Sequence, residues 1–126
     1  MKLLLFLLLT ASLLQAKHLH KEKYYQKIFC SKINGLIEYE LTNKTRIDCL
    51  TNTYAIEVDF ANKFYEAIGQ SLYYGLVTNH SPGIVLILEN PKKDIKYLKR
   101  LMKVAKVHKI TVWTLDKNRT IKRIKL

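Results

Sequence analysis

The chain has 126 residues, with 22 Lys and Arg against 10 Asp and Glu, and a formal net charge of +12. That length allows one modest core and leaves no room for a second large domain. The charge suits a polyanionic partner (nucleic acid, anionic lipid or acidic glycan) without selecting among them.

Residues 1–16, MKLLLFLLLTASLLQA, combine one Lys, an apolar run from Leu3 to Leu9 and a small-residue end. This is the pattern of a secretory signal, with cleavage expected after Ala16. The run is too short to span a bilayer comfortably, and no second long apolar segment follows residue 17. The expected mature protein, residues 17–126, is a single exported domain, periplasmic or secreted, with no stable membrane span. Removal of Lys2 leaves 21 basic against 10 acidic residues. In an oxidising compartment the even cysteine count favours one disulfide, Cys30 to Cys49.

Tyr24, Tyr25, Ile28 and Phe29 in HLHKEKYYQKIFCSK (18–32) have helical spacing, and Gly35 ends that helix. LIEYEL (36–41) alternates as a strand with one wet face would. TNKT turns the chain into RIDCL (46–50), a returning strand. In YAIEVDF (54–60), Ile56, Val58 and Phe60 fall on one face and Glu57 and Asp59 on the other. A helix over 61–77 follows, with Phe64, Ile68, Leu72 and Leu76 as its apolar stripe and Lys63, Glu66, Gln70 and Tyr74 on a different face. NHSPG breaks it. IVLILE (84–89) suits an interior strand covered on both sides.

PKKDIKYLKRLMKVAKVHK is a second amphipathic helix, with Ile95, Leu98, Met102 and Ala105 inward and Lys96, Lys99, Lys103 and Lys106 outward. ITVWTL (110–115) closes the core, and the basic tail is strand-like at 121–124. The order αβββαβαβ implies an α/β fold, a mixed central sheet flanked by helices.

Asp and Glu are disfavoured inside strands, so Asp48, Glu57 and Asp59 on adjacent segments call for a counter-ion. If 46–50 and 54–60 pair as a hairpin, Asp48 and Glu57 meet on one sheet face. Carboxylates held together repel unless protonated or neutralised, and oxygen donors favour Mg²⁺, Mn²⁺ or Ca²⁺ over zinc.

These residues carry a resemblance. The βββαβ order, Asp48, the Glu57-x-Asp59 element and Gln70-x-x-x-Tyr74 resemble the PD-(D/E)XK nuclease superfamily, the restriction-endonuclease-like fold, and within it a group of small bacterial proteins with a Q-x-x-x-Y element. The resemblance covers about residues 30–115 and is densest at 46–74. It implies an αβββαβ core and a Mg²⁺- or Mn²⁺-dependent nuclease acting on DNA. Asp48 matches the motif Asp, Glu57 the (D/E) position, and Gln70 and Tyr74 the helix motif. Glu38 resembles an additional metal-reaching acid, and Glu40 shares its face by alternation. Asp59 stands where the family has Lys, and Lys63 is placed to substitute from the following helix.

Lys96, Lys99, Arg100, Lys103 and Lys106 would track a phosphate backbone without reading sequence. Lys92 and Lys93 extend that basic run. Two rival readings remain: a noncatalytic nucleic-acid binder retaining the fold, and a cationic protein that associates with anionic lipid. His18 and His20 form an H-x-H pair near the expected mature N-terminus.

Overall fold

The computed structural model describes residues 17–126; the expected signal, 1–16, lies outside the described residues. Among the described residues, three α-helices and a six-stranded open sheet make up an α/β fold. In chain order the elements are α1 (Glu22–Lys32), β1 (Leu36–Glu40), β2 (Arg46–Leu50), β3 (Tyr54–Phe60), a 3₁₀ turn (Ala61–Lys63), α2 (Phe64–Thr78), β4 (Ser81–Leu88), α3 (Pro91–His108), β5 (Thr111–Asp116) and β6 (Ile121–Ile124).

Strand order follows the sequence, β1 to β6. Short turns join β1, β2 and β3, so those neighbours run antiparallel. Parallel neighbours need a crossover: α2 carries the chain from β3 to β4 and α3 from β4 to β5, and both pairs are parallel. β6 returns antiparallel to β5.

The sheet is covered on both faces. Tyr25 and Phe29 of α1 pack on Ile56, Val58, Val85, Ile87, Trp113 and Leu115. On the other face Phe64, Ala67, Leu98, Leu101 and Ala105 pack on Ile84, Leu86, Leu88 and Val112. β4 is therefore apolar in both directions, as its sequence implies. Each large side chain buried this way contributes about 1.5–3 kcal/mol.

The Cys30–Cys49 disulfide forms, with the two Cα atoms 5.7 Å apart, and ties α1 to β2. Its presence is compatible with export. A Cβ at Gly35 would collide with both sulfurs, so only glycine lets the chain turn this close to the bridge. Among the described residues no helix is long and apolar enough to cross a membrane.

Several local expectations shift. The first helix starts at Glu22, not 18, because the preceding segment is held by Glu89 instead of by helical bonds. β4 begins at Ser81, within the expected breaker, where Ser81 pairs with Tyr54. β1 is an edge strand, with Leu36, Ile37 and Tyr39 all exposed.

The buried stripe of α2 is Phe64, Ala67, Ser71, Tyr74 and Gly75, while Leu76 is 81% exposed. Small residues face the sheet because the helix lies close to it: a Cβ at Gly75 would come within 3.3 Å of the Pro82 backbone nitrogen on β4, and within 2.9 Å of the His80 carbonyl oxygen in the turn before it. On α3 Leu101 takes the inward place expected for Ile95, which is exposed.

Candidate functional site: a buried carboxyl cluster where two strands part

β2 and β3 pair at Cys49↔Ile56 and Leu50↔Ala55. One residue further, at Asp48 and Glu57, the ladder gives way to side-chain bonds. The Asp48 carboxylate accepts the Val58 backbone N–H at 2.8 Å, a position a strand carbonyl would otherwise hold. The Asp48 N–H lies 3.5 Å from Glu57 Oε1. The strands separate here because carboxyls, not backbone groups, occupy the space between them, and the expected meeting of Asp48 with Glu57 is present.

Glu57 and Asp59 are 4% and 6% exposed, an unusual degree of burial for carboxyls. Burial pushes the Glu57 carboxyl up to about 10, reinforced by the Asp48 charge and a carboxyl–carboxyl hydrogen bond with Asp48. Asp48 rises to about 6, again through burial; the Val58 N–H and the bond from Glu57 restrain it, while the charges of Glu22 and Glu38 add to it. Both members of the pair are therefore raised, and burial favours a proton held between them. Asp59 rises to about 8, from burial first and then from its hydrogen bond with Glu22 and that residue's charge, with the Lys63 ammonium opposing.

Glu22 is the residue that sequence reasoning missed. It sits in the first turn of α1, where an acid reads as an ordinary partner for the helix N-terminus. No local pattern joins it to strands more than twenty residues later. The opposite outcome holds for Glu38: it accepts a hydrogen bond from the buried Gln26 side chain at 3.2 Å, and Gln26 also reaches the Asp48 carbonyl at 2.9 Å. Glu38 has a left-handed backbone, φ 53°. It is close enough to raise Asp48 electrostatically. Glu40 lies exposed opposite Arg46 in the β1–β2 register.

The α2 residues divide. Tyr74 is buried against Ile47 and Ala55. Its hydroxyl is pushed up by burial, by Glu57 and by Asp48, with a Thr45 hydrogen bond opposing. Lys63, at the end of the 3₁₀ turn, and Glu66 and Gln70 on α2 are exposed; Lys63 and Glu66 both act electrostatically on Asp59. Lys96, Lys99, Arg100, Lys103 and Lys106 are all exposed on α3, outside the carboxyl cluster.

The histidines of the H-x-H pair serve separate contacts. His18 stacks on Phe60 with ring centroids 3.5 Å apart and bonds Glu89, and His20 stacks on Tyr24.

Among the described residues no group of three or more His, Cys, Asp or Glu side chains is arranged to hold a metal ion. The donor chemistry nevertheless fits a hard divalent cation. Mg²⁺ commonly takes one or two carboxylates and completes its octahedron with waters and substrate phosphate, and Asp48 and Glu57 supply such a pair. Compared with family models, curated proteins and solved structures, the chain finds no match.

Proposed function

We propose that the protein is an exported, divalent-metal-dependent nuclease with a restriction-endonuclease-like core, hydrolysing phosphodiester bonds of DNA. The observation that carries this reading is the buried Asp48–Glu57 pair at the parting of β2 and β3. Together with Asp59 it forms a carboxyl cluster whose acidity is suppressed by burial first and then by neighbouring carboxyl charge. Among the described residues the one ion pair recorded, His18 with Glu89, lies elsewhere. The helix, antiparallel three-strand meander, crossover helix and parallel β4 agree with the αβββαβ core that the sequence resembles.

In this reading Asp48 and Glu57 hold Mg²⁺ or Mn²⁺, with Glu38 as a further acid nearby. Held by these carboxylates, such an ion would supply Lewis-acid polarisation of the phosphodiester and a more acidic water. Lys63 offsets negative charge beside Asp59, in place of the family Lys. Gln70 lies on the exposed approach to the phosphate, and Tyr74 braces the pair from the protein side. The α3 cations Lys96, Lys99, Arg100, Lys103 and Lys106 draw in the polyanion.

The test is cleavage of single- and double-stranded DNA by oxidised protein with Mg²⁺, with Mn²⁺ and with chelator, alongside Asp48→Ala and Glu57→Ala. Metal-dependent cleavage, lost in both variants, supports the nuclease. A second reading, a noncatalytic nucleic-acid binder, is favoured by one observation: Asp59 is buried and bonded to Glu22 where the family has Lys. Folded protein that binds DNA and never cuts it would select that reading.

A further inference from the structure

The surface beside the carboxyl cluster carries aromatic rings and cations in alternation. Tyr65, at the start of α2, is 70% exposed. Its ring lies against Phe64 at 3.9 Å between centroids, and Phe64 in turn lies 6.1 Å from Tyr97 on α3. Lys96 and Arg100 flank Tyr97, at 5.0 and 5.7 Å from its ring centroid. Lys63, the cation acting on Asp59, immediately precedes Phe64 in the chain. A surface path therefore runs from Asp59 by way of Lys63 and Tyr65 to Tyr97, Lys96 and Arg100, with Phe64 buried in the core against both tyrosines. α3 adds Lys92, Lys93, Lys99, Lys103 and Lys106 against the single acid Asp94.

The two kinds of group demand different things of a ligand. The cations need a polyanion and accept any phosphate backbone. The rings need a planar face to stack on. Tyr65 rests on Phe64 on one side and is largely open to solvent, so a ligand can reach it. A duplex hides its base faces within the stack and offers a protein surface only edges and phosphates, whereas a single strand presents both phosphate charge and free base faces.

We propose that the ligand of this surface is single-stranded nucleic acid, with a base stacked on Tyr65 and the backbone led by Lys63, Lys96 and Arg100 toward the carboxyl cluster. This rests on the nuclease reading for what happens at the cluster, and concerns which form of nucleic acid arrives there. Single-strand selectivity follows from the rings, and salt sensitivity from the cations.

The test is equilibrium binding of a fluorescent 20-nucleotide DNA strand and of the corresponding blunt duplex, in chelator, over a series of salt concentrations. Variants are Tyr65→Ala, Tyr65→Phe, Tyr73→Ala and Lys96→Ala/Arg100→Ala. Tyr73 is the control: it is exposed on the same helix but eight residues on, about 12 Å along the axis.

The expected result is tighter binding of the single strand by the wild type. Tyr65→Ala should weaken that binding roughly 5- to 100-fold, as for one stacked base, with little change for duplex. Tyr65→Phe and Tyr73→Ala should retain it. The double cation variant should weaken both forms and reduce the salt slope by up to about 2.

Equal binding of strand and duplex, or a Tyr65→Ala protein that binds the strand as the wild type does, would overturn the proposal. The two readings fail separately. Metal-dependent cleavage without strand preference removes this inference and leaves the nuclease, whereas strand-selective binding without cleavage does the reverse.

Discussion

Two groups of carboxyls in this molecule sit in opposite circumstances. Glu89, just past β4, receives four hydrogen bonds: from Tyr25 Oη at 2.6 Å, His18 Nδ1 at 2.7 Å, and the Leu19 and His20 backbone N–H groups at 2.9 and 3.4 Å. Burial alone would raise its carboxyl, but those four bonds outweigh it and hold the group below its ordinary value. Asp48, Glu57 and Asp59 are buried with fewer donors and more like charge, and all three are raised. Protein donors complete the first group, which pins residues 18–20 to the fold. The second rests on few donors and on its own members, and carboxyls perturbed in this way cluster at functional sites.

The largest expected contrast is in activity. Under the proposed nuclease reading, Asp48→Ala or Glu57→Ala should reduce metal-dependent DNA cleavage by about a hundredfold or more, to the level seen in chelator. Glu89→Ala should leave the metal dependence intact, as cleavage rates at a temperature well below unfolding would show.

Next in size is the crosslink beside the carboxyl cluster. Cys49 follows Asp48, and Cys30 lies on the helix that carries Glu22. For a sequence separation of 19, reduction should cost about 3 kcal/mol in the chain-entropy model. Thermal unfolding with and without reductant should differ by more than about 10 °C. A shift of only a few degrees would mean that the unfolded chain is already compact around this loop.

Glu89→Ala should cost about 1–3 kcal/mol, because it strands the buried Tyr25 hydroxyl and frees the N-terminal segment. Denaturant unfolding measures this directly, and hydrogen exchange at residues 18–20 should rise with it.

The smallest effect has the opposite sign. The carboxyls of the cluster bind protons more tightly folded than unfolded. Their contribution is therefore full at about pH 4 and is lost as pH rises through about 6 for Asp48, 8 for Asp59 and 10 for Glu57. Glu57→Gln should accordingly raise the melting temperature at pH 8 and leave it almost unchanged below pH 4. Glu89 runs the other way: its contribution is present above the ordinary Glu range and is lost as pH falls through its lowered folded value. Melting temperature against pH, with and without Mn²⁺, separates the two. Saturating metal should stabilise the wild type increasingly above pH 6 and leave Glu57→Gln little changed.

The strands were legible because their period is short and burial enforces it. Ile56, Val58 and Phe60 against Glu57 and Asp59 could be sorted by alternation alone, and the same alternation put Glu57 within reach of Asp48. The helices were harder to orient. Hydrophobicity nominates Leu76 for the α2 interior, yet Ala67, Ser71 and Gly75 take it, since a helix lying close to a sheet needs small side chains at the contact. Glu22 was invisible for a different reason: its partners are long-range, and a first-turn Glu explains itself locally.

The sequence by itself determined the αβββαβαβ order, the pairing of the only two cysteines and the two-sided apolar character of β4. Period, parity and composition are local properties, and they suffice for these. Tertiary structure decided that Asp48 displaces a strand carbonyl, that Glu22 joins Asp59, that Glu89 gathers four donors and that Tyr65 is left open beside a cationic helix. Each of those depends on distances between segments far apart in the chain, where desolvation and neighbouring charge, not residue type, fix what a carboxyl or a ring can do.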